Sequence, residues 1–280
     1  MADKEELALV FQDTEAWYQS EEDLKQAIQT SIDNTAFYAE RDLPTLPAAR
    51  YETTIVTVNE HRSLESAFYY RRKFPEARIG IHNFASATNP GGGVRHGSRA
   101  QEEALCRCMT LLPVLETEEN NRRYYQFHKN RRDFTYTDAC IYTPDIVAIK
   151  SDTDIPQRLP KSDWQKFDVL TCAAPNLRLS SNITSSMGRR FSTHITDKSL
   201  REIHIRRATH LLTVAAHHGI DILILGAFGC GAFHNNPEAV ASAYKAVLAD
   251  FQGHFQEVAF AVFCTPEEKT NYEVFSKVLG

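Results

Sequence analysis

The chain has no run of 18 apolar residues, which excludes an ordinary membrane-spanning helix. Its start, MADKEELALV, lacks a basic stretch followed by an apolar one, so no secretory signal is expected. No CxxC pair occurs, and none of the six cysteines (Cys106, Cys108, Cys140, Cys172, Cys230, Cys264) has zinc-type spacing to another cysteine or histidine. Neither a metal nor a cofactor is expected. Cys106 and Cys108 stand two apart on an expected helix and so do not face each other. The thiols read as reduced and mostly buried, in a cytoplasmic protein, or a nuclear one if the source is eukaryotic. Excess positive charge is also missing. With 31 Lys and Arg against 36 Asp and Glu the formal net charge is −5, which argues against direct, sequence-independent DNA binding. No internal repeat or low-complexity segment is present.

What the chain does have is an ordinary globular balance, 42% apolar and 24% charged over 280 residues, enough for one large domain or two small ones. Residues 1–48 read as a polar helical extension. Leu24, Ala27, Ile28 and Ile32 fall at helical spacing, and Pro44 and Pro47 end the pattern. From residue 49 to 280, short apolar runs alternate with amphipathic segments. Strands are expected at 53–58, 78–84, 146–150, 168–174, 221–227 and 257–263, and helices at 63–74, 99–112, 199–218, 237–251 and 266–279. Asn236 is placed to cap the helix that Pro237 begins. The alternation predicts an α/β fold, a three-layer α/β/α sandwich on a largely parallel sheet. The polar stretch 113–144, with Arg122, Arg123 and the basic run 129–132, reads as a solvated loop or helical insertion, or as a surface for a polyanion.

Two glycine-rich loops follow expected strands. The first is Asn89-Pro90-Gly91-Gly92-Gly93-Val94, where three glycines leave the backbone free for positive φ and close ligand approach. The second runs from Gly226 through Phe228, Gly229, Cys230, Gly231 and Ala232 to Phe233, ahead of the helix at Pro237, and its amides suit a pyrophosphate. Each alone is compatible with a tight turn. Two at the carboxyl ends of strands in one sheet point to a nucleotide-like ligand.

After the first loop comes Ser98-Arg99-Ala100-Gln101-Glu102-Glu103. Ser98 and Gln101 fit a capping box, so a helix is expected to begin here. On a helical wheel Gln101 falls on the apolar stripe, Glu102 at its edge and Glu103 nearly opposite, a position that by itself reads as solvent-exposed. Acidic residues in a first turn also merely favour the helix dipole. Their place beside three glycines makes a catalytic pair the sharper alternative.

The segment NPGGGVRHGSRAQEEALCR, with GGG, seven residues and QEE, resembles the signature of poly(ADP-ribose) glycohydrolases of the microbial type. GAFGCGAFHNNP is similar to that family's diphosphate-binding loop, and CAAPN at 172–176 to a third family segment. The resemblance implies a macrodomain over 49–280 behind the extension 1–48. It implies a cleft for the terminal ADP-ribose unit, with Glu103 catalytic, Glu102 positioning the ribose and Asn89 touching the distal ribose. Gly91, Gly92, Gly93, Val94 and Gln101 match the catalytic loop. Gly226, Phe228, Gly229, Cys230, Gly231, Ala232 and Phe233 match the binding loop, the two phenylalanines packing on ribose or adenine or else on the core. The substrate implied is poly(ADP-ribose) on modified proteins, cut from chain ends to give ADP-ribose, with no membrane partner. Cleaving a ribose–ribose bond through an oxocarbenium-like state needs a carboxylic acid for the departing hydroxyl. Two other readings stay open: a non-catalytic ADP-ribose reader, and a hydrolase of mono-ADP-ribosylated targets. His217 and His218 read as helix-end residues, His82 as a buried strand residue, and His234 as a residue near a phosphate or a loop surface.

Overall fold

The structure, a computed structural model, describes residues 2–131, 133–180 and 195–280. In chain order its main elements are α1 (Lys4–Ser20), α2 (Glu22–Asp33), β1 (Ala36–Tyr38), β2 (Ile55–Asn59), α3 (Ser63–Lys73), β3 (Ile79–Phe84) and α4 (Gln101–Cys108). There follow β4 (Cys140–Ala148), β5 (Gln165–Cys172), α5 (Asp197–His217), β6 (Ile222–Leu225), α6 (Pro237–Leu248), β7 (Glu257–Ala261) and α7 (Thr270–Leu279). The strands form one sheet in the order β1-β4-β5-β3-β6-β7-β2. Pairings from β5 across to β2 are parallel, while β1–β4 and β4–β5 are antiparallel. This is the mixed, largely parallel three-layer α/β/α arrangement that the alternation predicts.

The central strands are apolar on both faces because both faces are covered. Ile79 and Ile81 of β3, Ile222 and Ile224 of β6 and Val169 of β5 pack with α3 and α4 in one core. Leu223, Leu225, Leu170 and Val258 pack with α5 and α6 in the other. Asn236 caps α6 as expected, accepting the Glu238 amide at 3.0 Å with Pro237 as first helical residue.

Two strands depart from the sequence reading. Residues 36–38 lie in the segment read as helical, yet β1 pairs with β4 along Ala36↔Tyr142 to Tyr38↔Cys140. A three-residue edge strand is too short to show alternation. β4 begins at Cys140, inside the stretch read as polar, and a register shift between Thr143 and Ile146 with Asp145 at φ 57° interrupts its pattern. The rest of that stretch is a helical insertion. Its π-helical turn Asn121–Gln126 drives Tyr124 and Tyr125 fully into the core. Two of its cations are paired, Arg123 with Glu119 at 2.9 Å and Arg131 with Asp133 at 3.5 Å. Arg132 lies outside the described residues.

α1 is bound to the sheet's first core through Phe11 and through a buried lysine, Lys150, which donates to the Val10 carbonyl at 2.7 Å and pairs with Asp13 at 2.8 Å. Its first turn presses on Gly97 (φ 69°), where any Cβ would overlap the Lys4 carbonyl. Among the described residues no helix is long and apolar enough to cross a membrane, and the six cysteines are free thiols.

Candidate active site

The first loop leaves the carboxyl end of β3. Backbone polar groups released there need new partners, and the start of α4 supplies them. The Gln101 side chain accepts the Phe84 amide at 2.8 Å and donates to the His82 carbonyl at 2.7 Å and the Ser63 hydroxyl at 3.1 Å. This corrects the capping-box expectation. The N-cap is Ala100 with no side-chain cap, and the Ser98 carbonyl instead accepts from the Arg107 guanidinium at 2.5 Å. Gln101 is spent on the strand end, where its apolar-side position aims it.

Glu102 is 2% exposed, and its carboxylate accepts the Ser86 amide at 2.7 Å and the Asn83 side-chain amide at 3.3 Å. Asn83 is itself held by Thr171 of the paired strand at 3.2 Å. Burial pushes the Glu102 carboxyl up to about 8; the Ser86 hydrogen bond opposes that shift and the neighbouring Glu103 carboxylate adds to it. The folded protein therefore holds a proton that the unfolded chain, titrating near 4.5, has lost. Stability from this group is full below the unfolded value and declines as pH climbs through about 5 to 8. Glu102→Gln, which cannot titrate, is expected to flatten that part of the profile. Thermal melts of both proteins over this range check it; equal slopes would refute the assignment.

Glu103, expected on the wheel to face solvent, is only 8% exposed, because the first loop folds over it. Its carboxylate accepts the Gly93 amide at 2.9 Å. Gly92, at φ 56°, runs so close that a Cβ there would stand 2.5 Å from Glu103 Oε1 and 3.2 Å from Glu102 Oε2. Three consecutive glycines thus let the backbone lie on the two carboxylates. Gly91 (φ 66°) is buried with Leu112 Cδ1 2.5 Å from its would-be Cβ, and Val94 is core, 1% exposed, so its side chain offers nothing to a ligand. Asn89 is exposed at the loop's outer edge, its carbonyl accepting the Gly92 amide at 3.0 Å.

The second loop borders a cavity of about 400 Å³. Gln101, Phe228, Gly229, Gly231, Ala232 and Phe233 line it, whereas Glu102, Glu103, Asn89, Gly91, Gly92, Gly93 and Val94 do not; Gln101, next to Glu102 on α4, is the link between the cavity and the carboxylates. Gly226 and Cys230 do not line it. A Cβ at buried Gly226 would meet the Ala261 carbonyl at 2.6 Å, which makes this glycine a matter of strand packing. The Cys230 thiol, pushed up to about 12 by burial, contacts the Phe228 carbonyl at 3.7 Å. Phe228 presents one side to the cavity but is 1% exposed and packed on His82, with centroids 4.4 Å apart, so core packing fixes its position. Phe233 is half-buried and free to meet a ligand.

Sequence reasoning missed several lining groups. Phe263, half-exposed, carries the Arg62 guanidinium 4.4 Å above its ring, and Asp152, Ala2 ahead of α1 and Leu7 in its first turn add to the wall. Their segments carry no glycine signal and meet only in the fold. Elsewhere, His82 is buried and lowered to about 3 by burial. His218 caps α5 stacked 3.5 Å from Tyr142, away from the site. His234 is exposed at φ 58° and does not line the cavity.

Comparison with known proteins finds relatives of the chain. A family model described as microbial-type PARG, catalytic domain, matches residues 6–151, the portion that holds the first loop and both glutamates. The poly(ADP-ribose) glycohydrolase of Thermomonospora curvata is similar at 29% identity and TM-score 0.76, over 91% of this chain and 89% of that one. The same enzyme bound to the inhibitor ADP-HPD is 30% identical with TM-score 0.75, over 90% and 88%. A poly(ADP-ribose) glycohydrolase from Deinococcus radiodurans in complex with ADP-ribose is 30% identical with TM-score 0.75, over 89% and 96%. No protein of curated function matches the chain by sequence.

Proposed function

Because this chain belongs to the microbial-type poly(ADP-ribose) glycohydrolases, we propose how its own residues carry out that family's reaction. The chain is a glycosidase that acts on poly(ADP-ribose), and ADP-ribose is its product. The observation that carries the residue assignment is the pair of buried carboxylates lying under three glycines, with Glu103 on the Gly93 amide.

In our reading Glu103 protonates the oxygen of the departing ribose as the glycosidic bond breaks. The resulting carboxylate then takes a proton from the water whose oxygen bonds to the anomeric carbon, which restores the acid. Glu102, held up to about 8 by burial, keeps a proton near neutral pH. It can therefore donate to a ribose hydroxyl without placing a second anion at the site. Its bonds to Ser86 and Asn83 tie it to the carboxyl end of β3. The second loop holds the diphosphate on the backbone amides around Gly229 and Gly231, and Phe233 packs on ribose or adenine. Asn89, at the exposed edge, meets the distal ribose. We place cleavage at chain ends, with the terminal unit in the cavity of about 400 Å³ beside α4.

The finer placements rest on the same footing. We assign residues 1–48 as an extension that packs on the catalytic domain 49–280 and adds β1 to the edge of its sheet. The physiological substrate is poly(ADP-ribose) on modified proteins, and the free thiols at all six cysteines support a cytoplasmic setting.

The test is incubation of purified protein with defined poly(ADP-ribose) and, separately, with mono-ADP-ribosylated protein, followed by product identification. ADP-ribose from the polymer is the expected result. Release from the mono-modified protein alone would replace the reading with a mono-ADP-ribosyl hydrolase, and binding without product would make the chain a reader.

A further inference from the structure

We propose that Asn235 and His204 act as a positioning pair that sets the second glycine loop in its ligand-ready form before any ligand arrives. The proposal rests on the reading of that loop as the diphosphate site.

Asn235 is 2% exposed, and its side-chain amide nitrogen faces three carbonyls. These are Pro175 at 2.7 Å, Gly229 at 3.1 Å and Phe233 at 3.2 Å. Two N–H groups shared among three acceptors tie the end of β5 to both arms of the loop. The Asn235 backbone amide adds a fourth tie, to the Gly229 carbonyl at 3.0 Å. With the nitrogen committed to carbonyls, the Asn235 oxygen must be the acceptor for His204 Nε2, 2.8 Å away. That requirement fixes the histidine tautomer: Nε2 carries the proton and donates.

His204 is 1% exposed on α5 and packs edge-on against Phe228, with centroids 5.6 Å apart. Arg207, one turn further along α5, donates to the Ala173 carbonyl at 2.6 Å and to the Thr135 carbonyl at 2.9 Å. The helix thus braces the strand end that Asn235 also holds. The clamp also holds the left-handed turn at His234, φ 58°, which directly follows the loop and is costly for a non-glycine residue. The Phe228, Cys230 and His234 amides are bonded within the loop, to the Gly226, Ala227 and Gly231 carbonyls; the amides of Gly229, Gly231, Ala232 and Phe233 meet no acceptor among the described residues and are the ones left for an anion. Neither residue lines the cavity, so both act through the loop and not by touching ligand.

The experiment uses the full chain and ADP-ribose as probe, with calorimetry for Kd and steady-state kinetics on poly(ADP-ribose). Asn235→Ala leaves buried carbonyls without donors, and a loss of at least about tenfold in Kd is expected. KM should rise in step while kcat moves less, because Glu103 is held by the other loop. His204→Phe keeps the packing on Phe228 but removes the donor, and about a fivefold loss is expected. His204→Gln, which restores a side-chain N–H, should recover most of it. Gly231→Val is the control for the loop itself: its Cβ meets no protein atom within 4 Å, so any effect is on ligand space. If Gly231→Val weakens binding but Asn235→Ala and His204→Phe do not, the positioning proposal fails. If Gly231→Val leaves Kd unchanged, the diphosphate reading of the loop fails first. A fall in kcat alone, with Kd and KM unmoved, would also overturn the proposal.

Discussion

Glu103→Gln should abolish most turnover of poly(ADP-ribose) while ADP-ribose still binds. General acid–base groups contribute about 10²–10⁴-fold, which sets the scale of the loss. Glutamine preserves the size of the side chain and an oxygen to accept the Gly93 amide, 2.9 Å away in the native protein. The first loop should therefore stay in place and the melting temperature should change little. The two measurements are single-turnover release of ADP-ribose and calorimetric affinity for ADP-ribose. A variant that retains near-native turnover would remove Glu103 from the reaction.

Gly92→Ala should be almost as damaging, although it replaces no titratable group. The residue sits at φ 56°, where an L side chain is strained, and its Cβ would lie 2.5 Å from Glu103 Oε1. Either the loop lifts or the carboxylate moves aside. A displacement of about 1 Å at a reacting group can cost on the order of 10²-fold in rate. The expected signature is a fall in kcat of that size with ADP-ribose affinity changed far less, since the second loop is untouched. Kinetics alongside calorimetry read both, and a variant with native kcat would show that the close approach is not part of catalysis.

The α/β/α class and the two glycine loops were readable in the sequence because they depend on local signals: doubly apolar strands such as 222–225, a Pro at the first turn of α6, glycine runs after strands. The burial of Glu103 was not readable from its helix. The wheel turns it away from Leu105 and Cys108, and only the loop returning over α4 covers it. Ser98 and Gln101 match a capping box in spacing, but the end of β3 competes for the Gln101 side chain and wins with three hydrogen bonds. β4 was half hidden by its bulge at Asp145. The Asn235–His204 pair joins residues 31 apart in sequence, and neither residue type signals its partner. Phe263 and Arg62 likewise meet only when β7 and α3 come to the same cavity rim.

The seating of α1 against Gly97 has a consequence for protein engineering. Because the start of α1 borders the cavity and leaves no room for a Cβ at residue 97, the loop carrying the glycines and the helix carrying the glutamates do not form a portable cassette. Grafting residues 89–108 onto another α/β scaffold would transplant the carboxylates without the α1 backbone that packs on the loop at Gly97. A successful graft would have to carry α1 and its anchor at Lys150 as well, or design a replacement for that wall.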